Sequence, residues 1–158
     1  LEVMLAIEND PDLWTHNSEN TGPYTRYQMK QYIAGNTNDI YTDRQLRLMI
    51  SLPDGKIAGI VDVFDFDVRN SKAEVGIVVL RDFRGRGIGR NALRLMEEHC
   101  FDFLGIHQIY AYVRCDNEAA LNVFRSCGFT ETAVLKSWIR RGQKYYDVCM
   151  FQKFAEPQ

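Results

Sequence analysis

The spacing of apolar residues changes period along the chain, and each change predicts an element. Residues 3–7 repeat at helical spacing and run into a turn at Asn9-Asp10-Pro11. After a cap region in "TGPYT", the pattern of residues 24–34 predicts a helix closed by Gly35 and Asn36. The runs "RQLRLMISL" and "KIAGIVDVFDF" flank Pro53-Asp54-Gly55, which predicts a hairpin. Asn70-Ser71 turns the chain into residues 73–80, a run apolar on both faces, as expected at the centre of a sheet. From Gly89 onward, Ala92, Leu95, Met96, His99 and Phe103 fall at helical spacing, with Leu93, Cys100 and Leu104 beside them, up to Gly105. "QIYAYV" predicts the next strand. Asp116 and Asn117 are good caps for a helix running to about Cys127, where Gly128 stops it. Two last strands, residues 132–140 and 144–152, are joined through Arg141-Gly142. No repeat, linker or low-complexity stretch interrupts this order. The expectation is one α/β domain over residues 1–158, of mixed α+β type, with a central mixed sheet of about six to seven strands flanked by helices.

Composition narrows the class without naming a chemistry. The chain has 158 residues, 46% hydrophobic and 25% charged, enough for a full-sized core. A formal net charge of -2 gives no electrostatic footprint for nucleic acid. No apolar run approaches the ~20 residues of a membrane span, and the start carries no signal-peptide pattern. Cys100, Cys115, Cys127 and Cys149 form no CxxC pair, so free thiols in a reducing cytoplasm are expected. His16, His99 and His107 lack metal-ligand spacing. The expectation is a cytoplasmic protein without a metal and without a nucleic-acid or membrane partner.

One stretch departs from this ordinary picture. "RDFRGRGIGRNALRLM" sets glycines and arginines at the junction of the apolar strand and an amphipathic helix. Arg81, Arg84, Arg86 and Arg90 repel one another unless solvated or matched by an anion. Backbone N–H groups at a helix start point outward, and the helix dipole favours a negative ligand there. Glycines let a diphosphate approach the backbone, and arginines add forked donors. The Walker ending Gly-Lys-Ser/Thr is absent. "GIGRNA" matches the dinucleotide pattern G-x-G-x-x-A, but only one strand–helix–strand crossover is visible, against the larger parallel repeat that pattern normally opens.

"RGRGIG" resembles the R/Q-x-x-G-x-G/A signature of the GNAT superfamily of acyl-CoA-dependent N-acyltransferases. "NEAALNVFRSCGF" is similar to that family's N-x-x-A-x-x-x-Y/F-x-x-x-G-F segment, and the two motifs come in family order at family spacing. The stretch from Gly128 to Phe151 is most like the branch containing spermidine and ribosomal-protein amino-terminal acetyltransferases. The resemblance implies a partly splayed sheet and a coenzyme A site. Backbone amides of Arg84, Gly85, Arg86, Gly87, Ile88 and Gly89 would hold the pyrophosphate, and the pantetheine arm would pair with the backbone of Val78, Val79 and Leu80 like an added strand. Asn117 matches the position that hydrogen-bonds this arm; its other reading is a simple helix cap. The family fold opens with a strand before its first helix, whereas this chain begins at Leu1 almost directly in a helical pattern. A truncated start or a lost strand is expected, with the strand near Arg47 at an exposed edge.

The implied reaction is transfer of an acetyl group from acetyl-CoA to a primary amine, either a polyamine-like small molecule or a protein amino terminus. The amine must be neutral to attack. A lysine-like amine with pKa ~10.4 lies about 4.6 kcal/mol from neutrality at pH 7, and an α-amine with pKa ~7.8 about 1 kcal/mol. Glu74, at the start of the central strand, matches the family's base glutamate; its alternative is a solvated carboxylate. The family's usual acid is a tyrosine where this chain has Phe124, which cannot donate. Phe124 is seven residues from Asn117, on about the same helix face, so it is assigned beside the thioester. Tyr110, Tyr112, Tyr145 and Tyr146 stay open as proton donors. Asp62, Asp65 and Asp67, the segment from His16 to Asn20 and the helix before Asn36 would wall the acceptor site. A homodimer is a further expectation. The competing reading is a coenzyme A-binding regulatory module without catalysis.

Overall fold

The computed structural model describes residues 1, 2, 4, 26–35 and 39–156. The turn expected at Asn9-Asp10-Pro11 and the stretch from His16 to Asn20 lie outside the described residues, as do Val3, Leu5, Ala6 and Ile7. The elements are α1 (Arg26–Ala34), α2 (Ile40–Asp43), β1 (Leu46–Ser51), β2 (Ile57–Asp67), β3 (Lys72–Val79), α3 (Ile88–Glu98), β4 (Gln108–Arg114), α4 (Glu118–Ser126), β5 (Thr130–Arg141) and β6 (Lys144–Phe154). A 3-10 turn, Arg81–Phe83, precedes α3, and a π turn, His99–Phe103, follows it.

Six strands form one mixed sheet in the order β1-β2-β3-β4-β6-β5, with β1 at one edge and β5 at the other. Only β3 and β4 run parallel, and they pair over three residues, Lys72↔Gln108 to Glu74↔Tyr110. The antiparallel pairs on either side are longer: β2 follows β3 as far as Gly59↔Val79, and β6 follows β4 as far as Arg114↔Val148. The sheet therefore splits in its middle beyond Glu74 and Tyr110. α3 makes the crossover between the two parallel strands, which must be long because both strands point the same way.

The main core fills one face of the sheet. Val63, Val75, Ile109, Ala111 and Phe151 meet Leu93 and Met96 of α3 and Leu121 and Phe124 of α4. A smaller cluster on the other face joins Met29 of α1 to Ile60, with Tyr32, Val78 and Leu80 packed against it.

The stripe expected on α3 is rotated from the one observed. Gly89, Ala92, Leu93, Met96 and Glu97 are buried, whereas Leu95 is 66% and Phe103 79% exposed. Two geometric facts account for this. At ~100° per residue, Leu95 lies well outside the arc that Ala92, Leu93 and Met96 share. The π turn then closes with an i to i+5 bond, Leu104 N–H to His99 O at 2.9 Å, and its extra residue carries Phe103 out to solvent, where it stacks on His99.

A buried charge sits on the inner face of α3, at a position the expected stripe did not include. Glu97 on the inner face of α3 accepts from Lys153 Nζ at 2.7 Å, and Lys153 also donates to Cys127 O at 2.5 Å. This network ties α3, the end of α4 and β6 together. Lys153→Met should strand the Glu97 carboxylate, whose Oε1 already has no partner. Removing one partner of such a pair costs about 3 kcal/mol, or a loss of about 6–12 °C in Tm for a chain of this size, read by thermal unfolding at pH 7.

Candidate active site

The split between β3 and β4 opens into a cleft of about 940 Å³. One end is built by the glycine loop. The 3-10 turn is anchored by Phe83 N–H to Leu80 O at 2.9 Å, and Arg84 Nε donates back to Val79 O at 3.0 Å. Gly85 and Gly87 then take φ of +78° and +74°, a backbone region that side chains disfavour. A Cβ at either position would meet nothing within 4 Å, so the glycines serve backbone shape and open approach rather than packing. Gly87 is the N-cap of α3 and offers no side-chain cap, and the first bond into the helix is Asn91 N–H to Gly87 O at 3.1 Å. The amides ahead of Asn91 have no intrahelical acceptor and face outward at the positive end of an 11-residue helix. A helix start of this geometry can receive an anion.

The middle of the cleft is a strand edge without a β4 partner, on which Val79 O already accepts from Arg84 Nε. Leu80 N–H donates to Ala58 O at 2.7 Å on the β2 side. By strand alternation, Val78 also turns its backbone to β2, while Ile77 and Val79 turn theirs to the split. Val78 and Val79 line the cleft, but the hydrogen-bonding edge belongs to Ile77 and Val79 rather than to Val78 and Leu80. Leu80 packs instead beneath α1.

Across the split, Asn117 caps α4 by accepting from Ala120 N–H at 3.2 Å through Oδ1. The cap uses only the carbonyl oxygen, which leaves the amide nitrogen as a donor to the cleft that Asn117 lines. Capping and ligand binding are therefore compatible at this residue. Phe124 also borders the cleft but is 3% exposed, with its ring edge-on to Phe129 at 5.1 Å and stacked on Phe151 at 5.7 Å. Its main contacts are core contacts.

The other end of the cleft holds the ionisable groups. Glu74 lines it, cross-strand from Phe64 and Tyr110. Tyr110 is pushed up to about 12 by burial and then by the Glu74 carboxylate, so it stays a neutral phenol at any ordinary pH. Of the four tyrosines held open as donors, Tyr112 lines the cleft. Tyr145 is 59% exposed, and Tyr146 lies under the Arg114 guanidinium at 3.7 Å. The three aspartates of β2 divide. Asp62 is held by Arg47 through bonds of 2.7 and 2.9 Å. Asp67 turns away to accept from Asn70, and these bonds hold its carboxyl below the usual range. Asp65 sits in the bulge between Phe64 and Asp67 at φ +50° and lines the cleft.

Ten of the residues assigned from sequence line this one cleft: Glu74, Val78, Val79, Arg84, Gly85, Gly87, Ile88, Gly89, Asn117 and Phe124. Arg86 and Leu80 do not; the Arg86 guanidinium lies over the Phe83 ring at 5.7 Å. The helix expected as a wall contributes Met29 and Tyr32, and sequence reading missed Arg47, Arg114 and Ile139, which also line the cleft. For Arg114 a signal existed: period-two alternation from Tyr110 places Tyr112 and Arg114 on one face of β4. Among the described residues, no group of three or more His, Cys, Asp or Glu side chains could hold a metal ion, and no described helix is long and apolar enough to cross a membrane.

A family model described as an acetyltransferase (GNAT) domain matches residues 1–130. Spermidine N(1)-acetyltransferase of Escherichia coli (strain K12) is 24% identical over 155 residues, covering 92% of this chain and 83% of the relative. The putative ribosomal N-acetyltransferase YdaF of Bacillus subtilis (strain 168) is 25% identical over 149 residues, with 93% and 80% covered. The crystal structure of spermidine N-acetyltransferase from Vibrio cholerae in complex with CoA and spermine aligns with a TM-score of 0.86 at 20% identity, covering 97% of this chain and 88% of that one.

Proposed function

The chain belongs to the GNAT acetyltransferase family and is an acetyl-CoA-dependent N-acetyltransferase, and we propose that its cleft seats the donor along β3 and a primary amine beside Glu74. The observation that carries this reading is the split sheet. It leaves the Ile77 and Val79 edge without a strand partner in β4, directly upstream of an anion cradle. An extended arm ending in a diphosphate has the shape and hydrogen-bonding pattern for that groove.

The bound thioester supplies an activated acetyl group. The amides of Ile88, Gly89 and Arg90 hold the diphosphate. Val79 and Ile77 pair with the amide groups of the arm, and Asn117 donates to one of its carbonyls. Glu74 takes the proton from the incoming ammonium, directly or through water. Tyr112 is placed on the cleft wall to hydrogen-bond the departing sulfur, a role in which Phe124 cannot serve. Asp65 and Glu74 give the acceptor end a negative lining, which favours a cationic amine. The similarity to spermidine N-acetyltransferases supports an amine acceptor.

The test is thiol release from acetyl-CoA across a panel of amines, with coenzyme A binding measured in parallel by thermal shift. The reading expects coenzyme A to raise the melting temperature and at least one primary amine to release thiol. Binding without release for every amine would instead leave a coenzyme A-binding module.

A further inference from the structure

Among the described residues, Arg114 is the one buried cation on the wall of the cleft, and part of its hydrogen-bonding capacity is unused. Its side chain is 4% exposed. Nε and Nη2 form a side-on fork with Asp116 at 2.9 and 2.6 Å. The flat face of the guanidinium is covered by the Tyr146 ring at 3.7 Å. Nη1 is buried and has no hydrogen-bond partner. In a planar guanidinium held through Nε and Nη2, the Nη1 hydrogens point away from Asp116 within the plane. A buried donor left in that state is unfavourable, and an oxygen brought by a ligand relieves it.

Position says which ligand. Arg114 lies on the same face of β4 as Tyr110 and Tyr112, and Tyr110 pairs with Glu74, so it belongs to the wall on which Glu74 stands. α3, which the glycine loop opens, and the inner face of α4 pack on the other face of the sheet. Ile139 of β5 also lines the cleft. Charge says which oxygen. The fork to Asp116 makes the unit neutral, so it suits a neutral carbonyl better than a carboxylate, which would face Asp116 as well.

We propose that Arg114 is a specificity residue whose Nη1 donates to a carbonyl oxygen of the acceptor, so that the preferred amines are α-amino amides, as at a peptide amino terminus, rather than plain alkylamines. The inference rests on the acetyltransferase reading and on the acceptor entering beside Glu74. A polyamine has no oxygen to offer and leaves Nη1 unmet.

The test compares Ala-Ala-Ala amide, free alanine, propylamine and spermidine as acceptors, with kcat/KM expressed per neutral amine to remove the difference in amine pKa. The unaltered protein should favour the peptide amide over propylamine and spermidine. In Arg114→Met, which keeps an apolar stem over Tyr146, the ratio of peptide amide to propylamine should fall by about tenfold to a hundredfold, as for loss of a charge-assisted hydrogen bond. Arg114→Lys should lower the ratio as well, since an ammonium cannot hold Asp116 side-on and present a second edge. Thermal unfolding of both variants shows which remain folded, and the acceptor preference of the unaltered protein is read without any variant. The proposal is overturned if that protein prefers spermidine or propylamine. It is overturned equally if alanine exceeds the peptide amide, if folded variants keep the parent ratio, or if their only loss is in coenzyme A affinity, which would assign Nη1 to the pantetheine arm. Absence of acetylation with all four acceptors would instead overturn the underlying acetyltransferase reading.

Discussion

Gly87→Asp should abolish coenzyme A binding while leaving the free protein folded. Aspartate tolerates the left-handed backbone that Gly87 adopts at φ +74° better than most residues. A Cβ there meets nothing within 4 Å, so the melting temperature without ligand should move little. With a diphosphate on the α3 amides the situation reverses. A carboxylate about 5 Å from one phosphate charge costs about 3 kcal/mol at an effective dielectric of 20, which alone is over a hundredfold in affinity. It also competes for the same N–H groups. Gly87→Asn separates the two contributions, because it has the same shape and backbone tolerance without the charge. The thermal shift with coenzyme A should vanish for the aspartate variant and survive in large part for asparagine. Added salt should partly restore binding to the aspartate variant, since exposed charges are screened. Equal binding by parent and Gly87→Asp would remove the diphosphate from this loop.

The strand order was legible because alternation and turn chemistry act locally. Pro53-Asp54-Gly55 marks its hairpin whatever lies around it, and the chain folds back there as Gly55 N–H reaches Leu52 O at 2.8 Å. The glycine loop and the start of α3 were legible for the same reason, since they come from consecutive residues. The other end of the cleft was legible only in part: Asp62, Asp65 and Glu74 stand out along the chain, but Tyr32, Arg47 and Arg114 come from three separate elements that only tertiary packing brings to the same cleft. The short α2 was missed because it is four residues long and is held by local caps rather than by an apolar period, with Asp39 accepting from Tyr41 N–H at 3.0 Å and Arg44 N–H reaching Ile40 O at 2.8 Å. Which aspartate of β2 faces the cleft also lay beyond pattern. Arg47 pairs with Asp62 and Asn70 hydrogen-bonds Asp67 through contacts with no sequence periodicity, and the bulge at Asp65 breaks the alternation that would have ordered them.

Glu74→Gln should slow acetylation of an alkylamine by about a hundredfold at pH 7, the low end of what a positioned base contributes, without weakening coenzyme A binding. The second half follows from placement, because Glu74 stands at the paired end of the split, several residues along β3 from the glycine loop. The first follows from the amine. At pH 7 an alkylamine of pKa ~10.4 is almost wholly ammonium, and the parent uses that form by passing its proton to the carboxylate. Glutamine accepts no proton, so the variant must wait for amine already neutral in solution. That fraction rises about tenfold per pH unit up to the amine pKa. The parent, whose reacting pair is carboxylate and ammonium, gains little over the same range. The ratio of variant to parent rate should therefore climb steeply between about pH 7 and pH 9.5. For an α-amine of pKa ~7.8 the deficit at pH 7 should be smaller and should close within about one pH unit, because about 1 kcal/mol rather than about 4.6 separates that amine from neutrality. Carbon-for-carbon the substitution changes only one oxygen to an amide nitrogen, so folding and cleft shape are preserved, and the melting temperature serves as the control. A rate ratio that stays flat from about pH 7 to pH 9.5 for both amines would make Glu74 a surface carboxylate that happens to line the cleft, and the proton would then leave through water alone.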